Sequence, residues 1–148
     1  MSGSTVGTHL QQEALSGSNA TRELQKFAAW LNKDGRAFEV INPGYSKCTD
    51  TEKNEAIRPL VKELGFNDEG LLFNVFRITG SSYITLGTGR GAYLIPIQQE
   101  SEATEAPAIS TNQNFNEPTT KLAVGIRVYF DRNVWVRSNF DCVVIKLP

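Results

Sequence analysis

The chain has 148 residues, 40% of them hydrophobic and 9% aromatic, which is enough to build one packed domain or one domain with an extension. Its formal net charge of −1 gives no global field toward nucleic acid or membrane. No apolar run approaches the ~20 residues of a membrane span, and the uncharged start, Met1 to Gly7, lacks the basic and apolar parts of a secretory signal.

In chain order, residues 1–18 read as a flexible Gly/Ser/Thr-rich arm. A helix is predicted from Asn19 to Lys33, capped by Asn19 and stopped by Gly35. Ala20, Leu24, Phe27, Ala28 and Leu31 recur on one face of it. Arg36–Ile41 reads as a short strand, and Asn42-Pro43-Gly44 as a turn. Thr49 and Glu52 form a capping box for a second helix that buries Ile57, Leu60, Val61 and Leu64. Pro59 is expected to kink that helix or to start a new segment.

Residues 67–79 suit either a helix, with Leu71, Val75 and Ile78 on one face, or a buried strand; the helix is favoured. Tyr83–Thr88 and Ala92–Ile97 are predicted to form a hairpin around Gly89-Arg90-Gly91. Residues 98–120 read as an acidic linker carrying Glu100, Glu102, Glu105 and Glu117. Residues 121–148 read as a C-terminal β element of three alternating strands, with Asp131-Arg132 and Ser138-Asn139 at the turns.

The order of elements over residues 20–97 resembles a winged helix-turn-helix domain. Leu60 to Phe66 looks like the end of the second helix and its turn. Leu71, Val75 and Ile78 fall where that family places core positions of its third helix. Leu86-Gly87-Thr88-Gly89-Arg90-Gly91-Ala92-Tyr93-Leu94 is similar to the wing tips of GntR-type regulators. The resemblance implies a fold of class α+β: a helical core over 19–97 with a β-hairpin wing, followed by the linker and by the C-terminal β element docked on the core or on a neighbour. In that family the third helix enters the major groove. Here its outward face would be Asp68, Glu69, Leu72, Phe73 and Phe76, which suits packing against protein better than reading bases.

Side-chain catalysis has few candidates. The single histidine, His9, lies in the polar arm, and a nucleophile system needs an imidazole held rigidly beside it. Two cysteines, Cys48 and Cys142, and one histidine cannot furnish a structural zinc site. The cysteines are expected to be reduced thiols, and Asp131 and Asp141 to be turn residues. The glycine-rich turn lacks the following helix of a dinucleotide site and the other signatures of a kinase.

Two surfaces remain. On alternation, Leu122, Val124, Ile126, Val128 and Phe130 share a face with Val134 and Val136, which leaves Arg127, Tyr129, Trp135 and Arg137 opposite. Aromatics interleaved with cations suit either a stacking platform for single-stranded nucleic acid or a protein hot spot. Leu72, Phe73 and Phe76 would form an apolar protein interface. The expectation is a non-enzymatic, cytoplasmic nucleic-acid-binding protein without metal or cofactor, using Arg90 at the wing and Arg127, Tyr129, Trp135 and Arg137 on the sheet. The alternative is a structural or assembly subunit, as in a phage particle, ordered by contacts with neighbouring subunits in an oligomer.

Overall fold

The structure, a computed structural model, describes residues 10–15, 17–33, 35–42, 44–66, 72–86, 91–99, 107–116, 119–137 and 139–147. Two helices lie within them, α1 (Ser18–Leu31) and α2 (Lys53–Glu63). The strands are β1 (Leu10–Ala14), β2 (Phe38–Asn42), β3 (Tyr45–Cys48), β4 (Leu72–Ile78), β5 (Ser82–Ile84), β6 (Ala92–Gln99), β7 (Ala108–Ser110), β8 (Thr119–Lys121), β9 (Ile126–Phe130), β10 (Val134–Arg137) and β11 (Phe140–Lys146).

They form two sheets. The larger has the order β1-β9-β6-β11-β4-β3-β2, and the smaller β5-β10-β7-β8. Neighbours in both sheets run antiparallel. From β4 onward the chain passes back and forth between the sheets, so that β4, β6, β9 and β11 interleave in one and β5, β7, β8 and β10 in the other. This winding is a double-stranded β-helix, or jelly roll.

Alternation along the strands decides what each face buries. On β11, Phe140, Cys142 and Val144 point into the space between the sheets, while Val143 and Ile145 point outward. On β4, Phe76 and Ile78 point in and Val75 points out. Leu94, Val128, Phe130, Val134 and Val136 complete the interior of the sandwich. The helices cover the outer face of the larger sheet. Leu24, Phe27 and Leu31 of α1, with Ile57, Leu60 and Val61 of α2, pack on Val75, Ile95, Ile97, Val143 and Ile145.

The architecture corrects the α+β helical core. The favoured helix at 67–79 is a strand where it is described, because β4 lies between β11 and β3 and its alternate residues serve two separate cores. Its Asn67, Asp68, Glu69 and Leu71 lie outside the described residues. The expected hairpin is not one: β5 joins the smaller sheet and β6 the larger. The linker contributes β7 and β8, with Ala108 and Ile109 buried. The three C-terminal strands divide likewise, β10 going to the smaller sheet and β9 and β11 to the larger. Pro59 sits inside α2 without ending it. Gly17, at φ 89°, starts α1 in place of Asn19. Among the described residues no helix is long and apolar enough to cross a membrane.

Both thiols are free and buried. Burial pushes Cys142, deep in the sandwich, and Cys48, under the helices, above the ordinary thiol value of 9.0. The folded chain therefore keeps protons that the unfolded chain releases, so stability falls as pH rises above about 9. Lys53, pushed down by burial, works in the opposite direction below 10.5. In urea titrations at pH 7.5 and pH 10, Cys142→Ala is expected to flatten the alkaline loss. An unchanged pH slope in that variant would show that another group governs the loss.

Candidate functional site

The larger sheet carries one buried carboxylate among its apolar strands. Asp141, on the outward face of β11, is only 6% exposed. It is held by three donors. Arg77, directly across on β4, donates from Nε to Oδ1 at 3.0 Å and from Nη2 to Oδ2 at 3.2 Å. Gln98, on β6, donates from Nε2 to Oδ2 at 2.7 Å. Gln98 also exchanges a reciprocal pair of amide hydrogen bonds with Asn32, just past the end of α1, at 3.0 Å each.

A β-bulge builds this arrangement. Asp141 pairs with Gln98 and Cys142 with Pro96, so Ile97 is an extra residue on β6. Without it, alternation would direct Gln98 toward the opposite face from Ile97; the bulge lets both serve the outer side. The four polar groups then line one end of a cleft of about 370 Å³, with Thr79, Asn139 and the apolar Ile78 and Phe140 around it. A second depression, about 310 Å³, shares Asn32 and Arg77 with the first and is bounded by Lys33, Arg36 and Phe38.

Both arginines are held flat before any ligand arrives. The guanidinium of Arg77 lies 4.3 Å from the Phe38 ring centroid, and that of Arg36 lies 3.8 Å from Trp30. Arg36 Nε also donates to the Trp30 carbonyl at 2.8 Å. Asp141 uses two donors on Oδ2 and one on Oδ1, which leaves an acceptor position on Oδ1. The cleft therefore offers fixed donors and acceptors side by side.

The residues singled out from the sequence do not meet here. Arg90 lies outside the described residues. Arg127 and Tyr129 are on β9 of the larger sheet, whereas Trp135 and Arg137 are on β10 of the smaller one, so the proposed platform is split between two sheets. Arg127 pairs with Glu13, donates to the Leu64 carbonyl at 3.2 Å and lies 5.0 Å from the Tyr93 ring. Tyr129 meets Tyr93 edge-on at 5.4 Å. Trp135 packs beside Tyr83 at 4.7 Å, and Arg137 lies over Phe115. Phe76 is inside the sandwich and Phe73 is partly buried under the helices, so they do not share a surface. Of Leu72, only the backbone in β4 is described. Arg127→Ala is expected to cost about 1 kcal/mol of stability, read as an earlier urea midpoint, because the side chain ties β1 and the end of α2 to β9. An unshifted midpoint would count against that role.

What sequence reasoning missed was Asp141, assigned there to a turn. The available signal was its position at the head of Cys142-Val143-Val144-Ile145, a run too apolar to tolerate a charge without a partner. Arg77, at the end of a similar run on β4, is that partner.

Among the described residues no three His, Cys, Asp or Glu side chains gather as a metal site would require. A scan against known protein families finds no match for the chain, and a search of curated proteins finds none either. Among solved structures, the fold is similar to that of an oxidoreductase of the 2OG-Fe(II) oxygenase family from Burkholderia pseudomallei. That likeness has a TM-score of 0.58 at 12% identity and covers 94% of this chain and 84% of the other. Salicylate 1,2-dioxygenase from Pseudoaminobacter salicylatoxidans also aligns in two mutant forms, one alone (TM-score 0.45, 15% identity, 88% of this chain) and one in complex with gentisate (0.45, 16%, 85%). This chain spans about a third of those chains, 33% and 31%. The fold is thus a cupin-like jelly roll and not a winged helix. With the winged helix fall the expectations of DNA binding through a third helix and wing and of a non-catalytic nucleic-acid-binding protein; the assembly subunit gains no support in its place. The expectation of a non-enzyme finds no support: the solved structure that shares the fold is named as an oxidoreductase.

Proposed function

We propose that the chain is a cupin-like protein that holds a small polyhydroxy compound in the Arg77–Asp141 cleft, as a substrate. The observation that carries this reading is the buried Asp141 carboxylate, presented among Arg77, Gln98 and Asn32 beside an open cleft. A hydroxyl group both donates and accepts. It matches a surface where a carboxylate oxygen, two amides and a guanidinium lie next to one another. Because Asp141 balances the charge of Arg77, this part of the cleft suits a neutral group better than an ion.

The oxygenase name of the solved neighbour supports reading the compound as a substrate; the cleft supports where it sits. The iron that the name implies does not fit the residues described. The sandwich interior is lined by Phe76, Leu94, Phe130, Val136, Phe140 and Val144, none of which can ligate a metal.

The test is thermal unfolding in the presence of sugars and polyols, since a ligand that binds the folded state raises the midpoint. Glucose, ribose or inositol is expected to stabilise the wild type, and Asp141→Asn is expected to weaken that binding at least tenfold. If none of these compounds shifts the wild-type midpoint, or if Asp141→Asn and Arg77→Ala bind them unchanged, the reading is wrong.

A further inference from the structure

The second depression has a different chemistry from the first. Lys33, Arg36 and Arg77 bound it, together with Asn32 and Phe38. Two of these cations have carboxylate partners, but on unequal terms. Arg77 is held by Asp141 at 3.0 Å. Arg36 has only long contacts, 3.9 Å to Asp50 and 3.8 Å to Glu52, and the Glu52 side chain is 71% exposed. The Glu52 pair is exposed and weak; the Asp50 pair lies between side chains only 15% and 13% exposed, at a separation beyond hydrogen bonding. Among the described residues no carboxylate lines this depression, whereas the first is lined by Asp141.

The cations are also in place beforehand. Trp30 backs one guanidinium and Phe38 the other, so neither arginine loses much freedom when it takes a ligand. Arg36 is anchored further by its bond to the Trp30 carbonyl. The end of α1 supplies Asn32 and Lys33 to the same wall.

We infer that the ligand of the cleft is anionic at one end: a polyhydroxy compound bearing a phosphate or carboxylate, its hydroxyl portion beside Asp141 and its anionic group between Lys33, Arg36 and Arg77. This inference rests on the reading of the Asp141 cleft given above. The shared residues Asn32 and Arg77 make the two depressions neighbours, so one small molecule reaches both. Asp141 offsets the charge of Arg77, so Lys33 and Arg36 supply the charge for the anion and Arg77 supplies hydrogen-bond donors. Its Nε and one Nη2 hydrogen hold Asp141, and its remaining N–H groups serve the anion.

Isothermal titration with matched ligands tests this. The probes are glucose, glucuronate and glucose 6-phosphate, ribose with ribose 5-phosphate, inositol with its monophosphate, and inorganic phosphate alone. At least one acid or phosphate is expected to bind tenfold or more tighter than its neutral parent, and whichever class does so identifies the anion. That advantage should shrink as salt is raised. It should vanish in Lys33→Ala/Arg36→Gln, while binding of the neutral parent persists. Lys33→Ala alone, at an exposed position, keeps the comparison available if the double variant folds poorly. Equal affinity for neutral and anionic partners overturns the inference and leaves the cleft reading standing. Inorganic phosphate binding as tightly as any sugar phosphate removes the hydroxyl portion, and with it the cleft reading. No binding by any of these compounds overturns both.

Discussion

Phe130→Ala is expected to destabilise the fold by about 3–5 kcal/mol, the range for emptying a large aromatic site in a close-packed core. Phe130 is fully buried between the sheets, and it is paired with Leu10 of β1 on one side and Ala92 of β6 on the other. Small residues such as Ala92 leave the ring to fill the space, so little can collapse into its place. A domain of this kind has a net stability of roughly 5–15 kcal/mol, so the loss removes a large fraction of it. Urea unfolding followed by circular dichroism measures it. Trp135→Ala is the contrast: the residue lies on the outer face of β10, half-buried beside Tyr83, and about 1 kcal/mol is expected. Equal losses from the two variants would mean that the space between the sheets is not the main core.

The second large effect belongs to Gly91→Ala, at about 2–4 kcal/mol. Two causes add. Gly91 has φ 120°, a conformation that an L side chain rarely adopts. A Cβ there would also stand 2.4 Å from the Tyr129 hydroxyl and 2.7 Å and 2.8 Å from two ring atoms. The whole ring must move, not merely its end. It cannot move freely, because Tyr129 meets Tyr93 edge-on and Tyr93 meets Phe66 at 5.3 Å, which links β9 and β6 to the segment after α2. Gly125→Ala separates the causes. Its φ is 107°, but nothing lies within 4 Å of the added Cβ, so it reports backbone strain alone. In Gly91→Ala/Tyr129→Ala the excess over Gly125→Ala should disappear. A Gly91→Ala cost no greater than that of Gly125→Ala would place the ring elsewhere.

Local order was readable along much of the chain. The apolar stripe Ala20, Leu24, Phe27 and Leu31 marked α1, and Ile57, Leu60 and Val61 marked α2, since a period of 3.6 residues is a property of the segment itself. Alternation placed Val128, Phe130, Val134 and Val136 on buried sides correctly, but Val124, assigned to the same face, lies outside the strands and is exposed. The pairing of strands was not readable. Val128 and Val134 look like partners across a short turn, yet they enter the same core from opposite sheets. Neither hydropathy nor turn chemistry distinguishes a hairpin from a chain that crosses a sandwich. In β4, Val75 and Ile78 suit a helical face, but they belong to two different cores on the two sides of one sheet.

The site was harder still. Arg77 and Asp141 are 64 residues apart, and Gln98 lies in a stretch that reads as linker. Each is ordinary in its local setting. They meet because β11 is inserted between β4 and β6, strands drawn from the middle of the chain.

The extra residue on β6 gives this part of the chain a phase. Each side of the larger sheet is read two residues at a time, and Ile97 resets the count just before Gln98. Because Ile97 is the residue without a partner, removing it would restore plain alternation and leave Gln98 opposite Asp141, at the cost of the burial of Ile97 under the helices. The extra residue thus serves the outer core and not the pairing: it packs one more apolar side chain beneath the helices while Gln98 keeps its place opposite Asp141.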